Sequence, residues 1–232
     1  MNKFSLLPST QSGFRVGHST ETTLVKLYND LILSADKGNL SVLLCLDFSS
    51  AFDTVDHSVL LSVLEKSFGV SGSSLSWFQS YLSNRSYVFL NASKSDPVTF
   101  DYGVPQGSIL GPLLFILYTS ELPQIISSFS LNSQLYADDS YIYSSFPKSS
   151  LNSVLTTISA CLEKIISWST SMYLKLNPSK FELIFFNNTR STITFPSLRL
   201  SSIDSFSLGP SPVIRSRGFF FESNLSPTHQ IS

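Results

Sequence analysis

A short acidic centre, set between a run with leucine at both ends and an aromatic run, dominates the middle of the chain. The runs are Leu131–Leu135 and Tyr141–Tyr143, and the centre is Tyr136-Ala137-Asp138-Asp139. This pattern predicts a β-hairpin with the acidic pair at its tip. Adjacent carboxylates repel each other more strongly as water is excluded, so the folded chain must solvate them or neutralise them. A solvated acidic turn and a divalent-cation site are both consistent with this hairpin.

A third carboxylate follows a second strand. Val42–Leu46 is a continuous apolar run of strand length, which is typical of a strand buried on both faces, and Asp47 comes directly after it. A carboxylate at the end of a buried strand needs a partner or a metal ion. If the strands are neighbours, Asp47 joins Asp138 and Asp139 in a cradle for two divalent ions about 4 Å apart, an arrangement suited to phosphoryl transfer.

Periodicity and capping residues predict the other elements. Ser19 or Thr20 begins a helix whose apolar face is Leu24, Tyr28, Leu31, Ile32 and Ala35. Pro123 is expected to stop a helix that begins near Leu113. Further helices are predicted from Asp56, over Leu75–Leu82 and from Ser149 or Ser150, and further strands over Tyr87–Leu90, Val98–Tyr102 and Phe181–Phe186.

Composition is that of a folded globular protein, with 42% hydrophobic and 13% aromatic residues among 232. Charge is uneven along the chain. Up to Asp139 there are seven Lys and Arg against twelve Asp and Glu, a net charge of −5, and from Ser140 there are eight against four, a net of +4. An acidic part that could hold metal and a basic part that could follow phosphates fit nucleic-acid chemistry.

Cysteine usage and hydropathy bear on location. Cys45 and Cys161 lie in apolar runs and form neither a disulfide framework nor a zinc site, so a reducing compartment is expected. The first residues lack the apolar core of a signal peptide, and the longest apolar run, Leu113–Tyr118, is too short to span a bilayer. We therefore expect an intracellular protein, nuclear and/or cytoplasmic, with no membrane partner.

The order of the motifs resembles the reverse transcriptase domain of non-LTR (LINE-type) retrotransposons, in truncated form. Three segments look like the family's successive palm motifs, a fourth resembles the motif that follows them, and two more match the segment before the palm. In that order they are Leu46–His57, Gly103–Pro112 and Tyr136–Asp139, then Leu176–Lys180, then Ser12–Arg15 with His18–Thr20.

The resemblance implies a metal site and a sugar contact. Asp47, Asp138 and Asp139 would bind two Mg²⁺ ions, or Mn²⁺ in their place, with the Phe48 carbonyl as an additional ligand. Phe52 would lie beneath the deoxyribose, where its ring takes the space that a 2′-hydroxyl needs. Ordinary core packing is the alternative for Phe52.

The resemblance also implies nucleotide and template contacts. Gln106 and Gly107 would line the nucleotide and template pocket. Lys180 would protonate the leaving pyrophosphate or stabilise its charge, unless it is a solvated turn lysine. Arg15 would contact template phosphate, unless it serves the protein surface.

The implied fold is α+β: a polymerase palm, with an antiparallel sheet backed by helices, a partial fingers segment and no complete thumb. We assign residues 1–40 to a fingers and pre-palm remnant and residues 41–190 to the palm. Residues 191–232 form a Ser/Thr/Pro-rich tail, in which Arg215–Phe219 loosely resembles a primer-grip hairpin.

The implied function is RNA-directed DNA polymerisation, by two-metal nucleotidyl transfer to a primer 3′-hydroxyl. The partners would be an RNA template, a DNA primer and deoxynucleoside triphosphates, and the oligomeric state is left open. The alternative is a catalytically inactive retroelement-derived fragment that acts at most as an RNA-binding module. A group II intron-type maturase would use the same three carboxylates.

Overall fold

The chain folds into two compact units in the computed structural model, which describes residues 7–88, 90–91, 93–105, 107–187, 193–203 and 206–226. One unit contains Ser49–Ser120 and Ser169–Lys175. The other contains Pro8–Phe48, Glu121–Trp168 and the described chain from Leu176 onward. Both units are assembled from separate stretches of sequence, so this division does not test the predicted domain boundaries at residues 40 and 190. Those boundaries stay predictions.

Helices and short antiparallel strands alternate along the described chain, which confirms the predicted α+β class. The helices are α1 (Thr20–Asp36), α2 (His57–Phe68), α3 (Gly72–Leu82), α4 (Leu110–Tyr118), α5 (Leu122–Ser128) and α6 (Leu151–Ser171). The first strands are β1 (Leu40–Leu46), β2 (Phe48–Ser49), β3 (Arg85–Tyr87), β4 (Leu90–Asn91), β5 (Ser93–Lys94), β6 (Val98–Phe100) and β7 (Asn132–Tyr136). The remaining strands are β8 (Asp139–Phe146), β9 (Lys175–Leu176), β10 (Glu182–Phe186), β11 (Leu198–Arg199), β12 (Ser207–Leu208), β13 (Val213–Ser216) and β14 (Phe219–Glu222).

A four-stranded antiparallel sheet, in the order β10-β1-β8-β7, organises one unit. Its central strand β1 is almost wholly buried, as its continuous apolar sequence predicts. On one face, α1 packs over the sheet and the β13–β14 hairpin closes the core. That core consists of Leu24, Leu27, Leu31, Leu43, Tyr141, Tyr143, Ile184, Phe186, Ile214 and Phe221.

Helix α1 begins as the sequence predicts, with one shift of its buried face. Ser19 and Thr22 form a reciprocal capping box, which satisfies free N–H groups of the first turn. Leu27 is fully buried, whereas Ile32 is 37% exposed. The buried face of α1 is therefore centred nearer to Leu27 than predicted. Apolar residues lie on both sides of the predicted face, so the sequence pattern allows either side to pack on the sheet.

The other unit contains α2, α3, α4 and the short strands β3–β6. Asp56 caps α2 by accepting a hydrogen bond from Val59 N at 2.9 Å, as predicted. The loop after β6 returns to the start of α2, where His57 Nε2 lies 2.8 Å from Gly103 O and Gly103 N donates to Val55 O at 2.7 Å. Within this unit, Phe52 packs on Phe115, with 4.7 Å between ring centroids.

The prediction that Pro123 stops a helix was wrong in its placement. Helix α4 ends at Tyr118, and Pro123 lies in the first turn of α5. Proline is tolerated there because the first N–H groups of a helix have no intrahelical acceptor. None of the helices in the described residues is both long and apolar enough to cross a membrane.

We expect Leu43→Ala to destabilise the sheet unit by about 2–5 kcal/mol, because it leaves a cavity beneath the central strand. Leu43 is fully buried, whereas Leu33 on α1 is 50% exposed and provides the matched control. Leu33→Ala should change the free energy of unfolding by about 0.5 kcal/mol or less. Urea unfolding measures both variants, and equal losses would contradict the assignment of the core.

Candidate active site

The acidic pair lies at the tip of the β7–β8 hairpin. Tyr136 pairs with Asp139, so Ala137 and Asp138 form a two-residue connection between the strands. Ala137 has a φ of +57°, in the left-handed region that alanine rarely adopts. The hairpin therefore displays two adjacent carboxylates on a tight turn whose backbone needs external support.

Strand register brings the third carboxylate beside this turn. The last pair of the β1–β8 ladder joins Leu46 to Ser140, so Asp47 follows β1 at the edge where Asp139 begins β8. Asn177 N donates to Asp47 O at 2.9 Å and holds its backbone. Asp47 Oδ2 is buried and accepts no hydrogen bond, although Lys180 Nζ lies 3.4 Å from it in an ion pair.

Lys180 reaches Asp47 from a short turn. Pro178–Lys180 form one turn of 3₁₀-helix, and Ser179 Oγ donates to Asn177 Oδ1 at 2.6 Å within it. The Lys180 side chain is 65% exposed, so its ammonium faces both solvent and Asp47. This placement gives the site a solvent-exposed cation next to its first carboxylate.

Arg217 provides a second cation, from the turn of the β13–β14 hairpin. Ser216 pairs with Phe219, and the two connecting residues, Arg217 and Gly218, both have positive φ, at 48° and 82°. Arg217 Nε donates to Asp139 Oδ2, and its Nη2 lies 3.6 Å from Asp138 Oδ1. The guanidinium also lies over the Tyr136 ring, 4.8 Å from its centroid.

Two tyrosines hold the Arg217 hairpin in place. The hydroxyl of Tyr141 lies 2.6 Å from Ser216 Oγ, and Tyr28 donates to the carbonyl of Leu225 at 2.8 Å. Burial raises the pKa of Tyr141 to about 12, so its hydroxyl keeps its proton at neutral pH. The position of Arg217 over the acidic pair is therefore set by contacts made on both sides of its hairpin.

Electrostatics at the site follow from burial and crowding. Burial raises the pKa of Asp139, and the neighbouring carboxylates of Asp138 and Asp47 raise it further, whereas Arg217 opposes them. The three acids thus interact with one another. Adding a cation at this position relieves repulsion that the protein alone only partly offsets.

The carboxylates do not converge on one point in this arrangement. Among the described residues, no three His, Cys, Asp or Glu side chains form a group that could hold a metal ion. Instead, Arg217 and Lys180 neutralise them. The donors nevertheless fit a hard divalent cation, because all are carboxylates and the Asp47 Oδ2 atom is buried without a hydrogen bond.

A polar cavity of about 410 Å³ opens at this site. Acidic and basic side chains alternate around it: Asp47, Asp139 and Glu182 with Lys180, Arg215 and Arg217. Its volume falls in the range of small-molecule sites. A ligand that carries both metal-binding oxygens and negative charge would match such a lining.

The other predicted site residues have different surroundings. Phe48 is buried in β2, and Gln106 lies outside the described residues. Gly107 has a φ of +79° and belongs, like Phe52, to the other unit, where a Cβ at Gly107 would meet open space. Arg15 Nη1 donates to the carbonyls of Pro8 and Gln11, so its contact with template phosphate stays a prediction.

The role of Arg217 was not predicted from the sequence. Only a loose resemblance to a primer-grip hairpin was predicted for this stretch, and no local pattern links Arg217 to Asp139, 78 residues earlier. Gly218, directly before the apolar run Phe219–Phe221, does carry a signal for a turn. That signal predicts the turn but not its partner.

Residues 1–204 match the family Reverse transcriptase (RNA-dependent DNA polymerase). The probable RNA-directed DNA polymerase from transposon BS of Drosophila melanogaster is 32% identical over 204 residues, covering 84% of this chain and 22% of that protein. The polymerase from mobile element jockey of the same species is 26% identical over 188 residues, covering 78% and 20%. The chain thus spans about a fifth of the length of these curated relatives.

Structural comparison finds the same fold in telomerase. An apo telomerase from Candida tropicalis, truncated from its C-terminal domain, matches with a TM-score of 0.62 over 94% of this chain and 40% of that one. A Candida albicans telomerase in complex with a fragment of telomeric RNA matches with a TM-score of 0.53. Sequence identities are 14% and 15%, so these likenesses concern the fold alone.

We expect Arg217→Ala to strengthen the binding of Tb³⁺ or Mn²⁺ to the acidic pair by about two- to fivefold, the value of an exposed ion pair. The variant removes a cation that competes for the same oxygens. Tb³⁺ luminescence sensitised by Tyr136 and Tyr141 measures the affinity. Arg199→Ala is the control, because Arg199 is exposed on β11 and does not line this cavity. Unchanged or weaker binding in Arg217→Ala would contradict the competition.

Proposed function

Since the chain belongs to the reverse transcriptase (RNA-dependent DNA polymerase) family, we propose that it extends a DNA primer by copying RNA. The substrates are deoxynucleoside triphosphates, and the reaction joins the primer 3′-hydroxyl to the α-phosphate with release of pyrophosphate. The reaction centre is the acidic end of the β1–β8 ladder. Its place in a fold shared with telomerase supports this assignment.

One observation carries the proposal: β1–β8 pairing puts Asp47 beside the turn that holds Asp138 and Asp139. These three carboxylates would hold two divalent ions, Mg²⁺ or Mn²⁺, with the Phe48 carbonyl as a further oxygen donor. Such ions, when bound, neutralise the attacking and leaving oxygens of a phosphoryl transfer. The carboxylates set the positions of these charges before substrate arrives.

Cationic side chains around the cavity serve the triphosphate. Lys180 Nζ, 3.4 Å from Asp47 and mostly exposed, is placed to leave this ion pair and donate a proton or a hydrogen bond to pyrophosphate. Arg215 lines the same cavity and adds positive charge at its wall. Arg217 must move off the acidic pair for both carboxylates to act.

Four further residues would serve the sugar and the template. Phe52 would exclude a 2′-hydroxyl through its ring, and Gly107, which has no side chain, would let the backbone approach the nucleotide or template closely. Gln106 would hydrogen-bond in the same pocket, and Arg15 would contact template phosphate. A nuclear and/or cytoplasmic location stays a prediction from cysteine usage and hydropathy.

A second candidate function is RNA binding without catalysis. It is compatible with the ion pairs that Arg217 and Lys180 form with all three carboxylates. A chain of this kind would keep a basic surface for phosphates and lose metal-dependent turnover. Incorporation assays and RNA gel shifts on the same preparation separate the two functions.

We expect the chain to incorporate dTTP on poly(rA)/oligo(dT) with Mg²⁺. The double variant Asp138→Asn with Asp139→Asn should lose on the order of 10²–10³-fold of this activity, because the charge that stabilises the transition state is removed. Chelation by EDTA should abolish it equally. The control replaces the exposed Asp96 and Asp101 by Asn. Incorporation that survives the double change would remove the acidic pair from the mechanism, and a silent wild-type chain that still shifts RNA would favour binding alone.

We expect Phe52→Ala to reduce discrimination against ribonucleotides by about 10- to 100-fold, since the ring that takes the 2′-hydroxyl space is lost. The ratio of kcat/KM for dTTP and UTP measures it. Phe52 also packs on Phe115, so thermal stability is recorded in parallel. Phe78→Ala, a half-buried phenylalanine on α3, is the control. An unchanged ratio would leave Phe52 with a packing role only.

A further inference from the structure

The segment before α1 extends the sheet at the acidic hairpin. Gln11 forms a parallel bridge with Leu135 of β7, where Leu135 N donates to Thr10 O and Ser12 N donates to Leu135 O, both at 2.8 Å. Strand β7 is the last strand of the four-stranded sheet. The segment therefore pairs with backbone groups that an edge strand leaves free.

The side chain of Gln11 continues from this bridge to the hairpin tip. Gln11 is 3% exposed, and its Oε1 accepts hydrogen bonds from Gly13 N at 2.8 Å and from Ala137 N at 3.2 Å. Ala137 is itself buried, so its N–H group needs a protein acceptor. One side-chain oxygen thus supports the turn that carries Asp138 and Asp139.

Residue 13 must be a glycine because the backbone of Ala137 lies too close to it for a side chain, and not because of its own backbone conformation. A Cβ at this position would lie 2.4 Å from Ala137 N and 3.0 Å from Gln11 Oε1. The backbone of the segment thus lies directly against the tip. Any side chain at residue 13 would push Ala137 away from Gln11.

Two further hydrogen-bonded contacts hold the segment itself. Arg15 Nη1 donates to Pro8 O at 2.8 Å and to Gln11 O at 2.9 Å, which closes the segment into a loop around Gln11. Gln134 Nε2 donates to Ser12 Oγ at 2.8 Å, between two buried side chains. Gln11 therefore approaches the tip from a backbone that is fixed on both sides.

The tip needs such support for two reasons. Its Ala137 adopts a left-handed φ of +57°, which is unfavourable for a residue with a Cβ. Its carboxylates repel each other and Asp47. Without an acceptor for Ala137 N, the turn could relax and move Asp138 and Asp139 apart.

We propose that Gln11 is a positioning residue, which holds the Ala137 N–H so that Asp138 and Asp139 stay beside Asp47. This inference rests on the proposed function only in one respect, which is that these carboxylates bind the metal ions of the reaction. The hydrogen bond itself is a property of the folded chain. Its loss therefore has a readout that does not depend on polymerisation.

The first test is hydrogen exchange of the Ala137 amide, followed by NMR on the full chain. Gln11→Met keeps the side-chain length and removes the acceptor, and Gln11→Asn serves if that variant does not fold. We expect exchange to become about tenfold faster in either variant. Gln11→Glu retains an oxygen at this position and should restore protection.

Gln134→Met is the matched control, because it removes a buried hydrogen bond from the same segment without touching the tip. It should lower the melting temperature to a similar extent and leave Ala137 exchange as in the wild type. The second test compares the two methionine variants in Tb³⁺ affinity and in kcat for primer extension. Removing a hydrogen bond that orients a metal ligand typically lowers metal affinity or activity by about tenfold or more. We expect a loss of about tenfold in both quantities for Gln11→Met, and no such loss for Gln134→Met.

Wild-type exchange of Ala137 in Gln11→Met, or in Gln11→Asn where it replaces that variant, would overturn the inference. So would an equal loss of Tb³⁺ affinity in Gln11→Met and Gln134→Met, which would show general destabilisation. A wild-type chain without primer extension would count against the proposed function only. In that case the exchange and Tb³⁺ results still decide the role of Gln11.

Discussion

The pairing of β1 with β8 is the constraint on which the candidate site depends. Its register joins Leu46 to Ser140 and so brings Asp47 to the edge where Asp139 begins the next strand. A slip of one residue would reverse which face each side chain takes and would bury charge in the core. The apolar residues of β1 and β8 prevent that slip, because Leu43, Tyr141 and Tyr143 must all face α1. Packing on one side of the sheet thereby sets the distance between carboxylates at its end.

Charge balance is the second determinant. Three carboxylates gathered at one edge repel each other, and the chain answers with Lys180 from one turn and Arg217 from another. The cavity is therefore lined by side chains of both charges. Any metal ion that binds these carboxylates must therefore compete with Lys180 and Arg217. Arg217 offsets part of the repulsion at Asp139.

Much of the architecture could be predicted from the sequence, for reasons that differ between elements. The buried strand before Asp47, the acidic hairpin and the caps of α1 and α2 all follow from local patterns, and the structure confirms them. Pro123 was placed wrongly because proline suits both the end of one helix and the start of the next. The contacts of Arg217 and Gln11 with the acidic turn escaped prediction. They join residues far apart in the chain, and no periodicity marks such a pair.

The two supports of the acidic turn differ in when they become available. Gln11 precedes Ala137 by 126 residues, whereas Arg217 follows Asp139 by 78. In a chain synthesised from its N-terminus, the acceptor for the turn exists before the turn does, and the counter-ion comes afterwards. Closing either loop has a similar entropic cost, since that cost grows only slowly with length. The acceptor for the turn can therefore be in place while the charge of the carboxylates is still unbalanced, because Arg217 is the last of these residues to be synthesised.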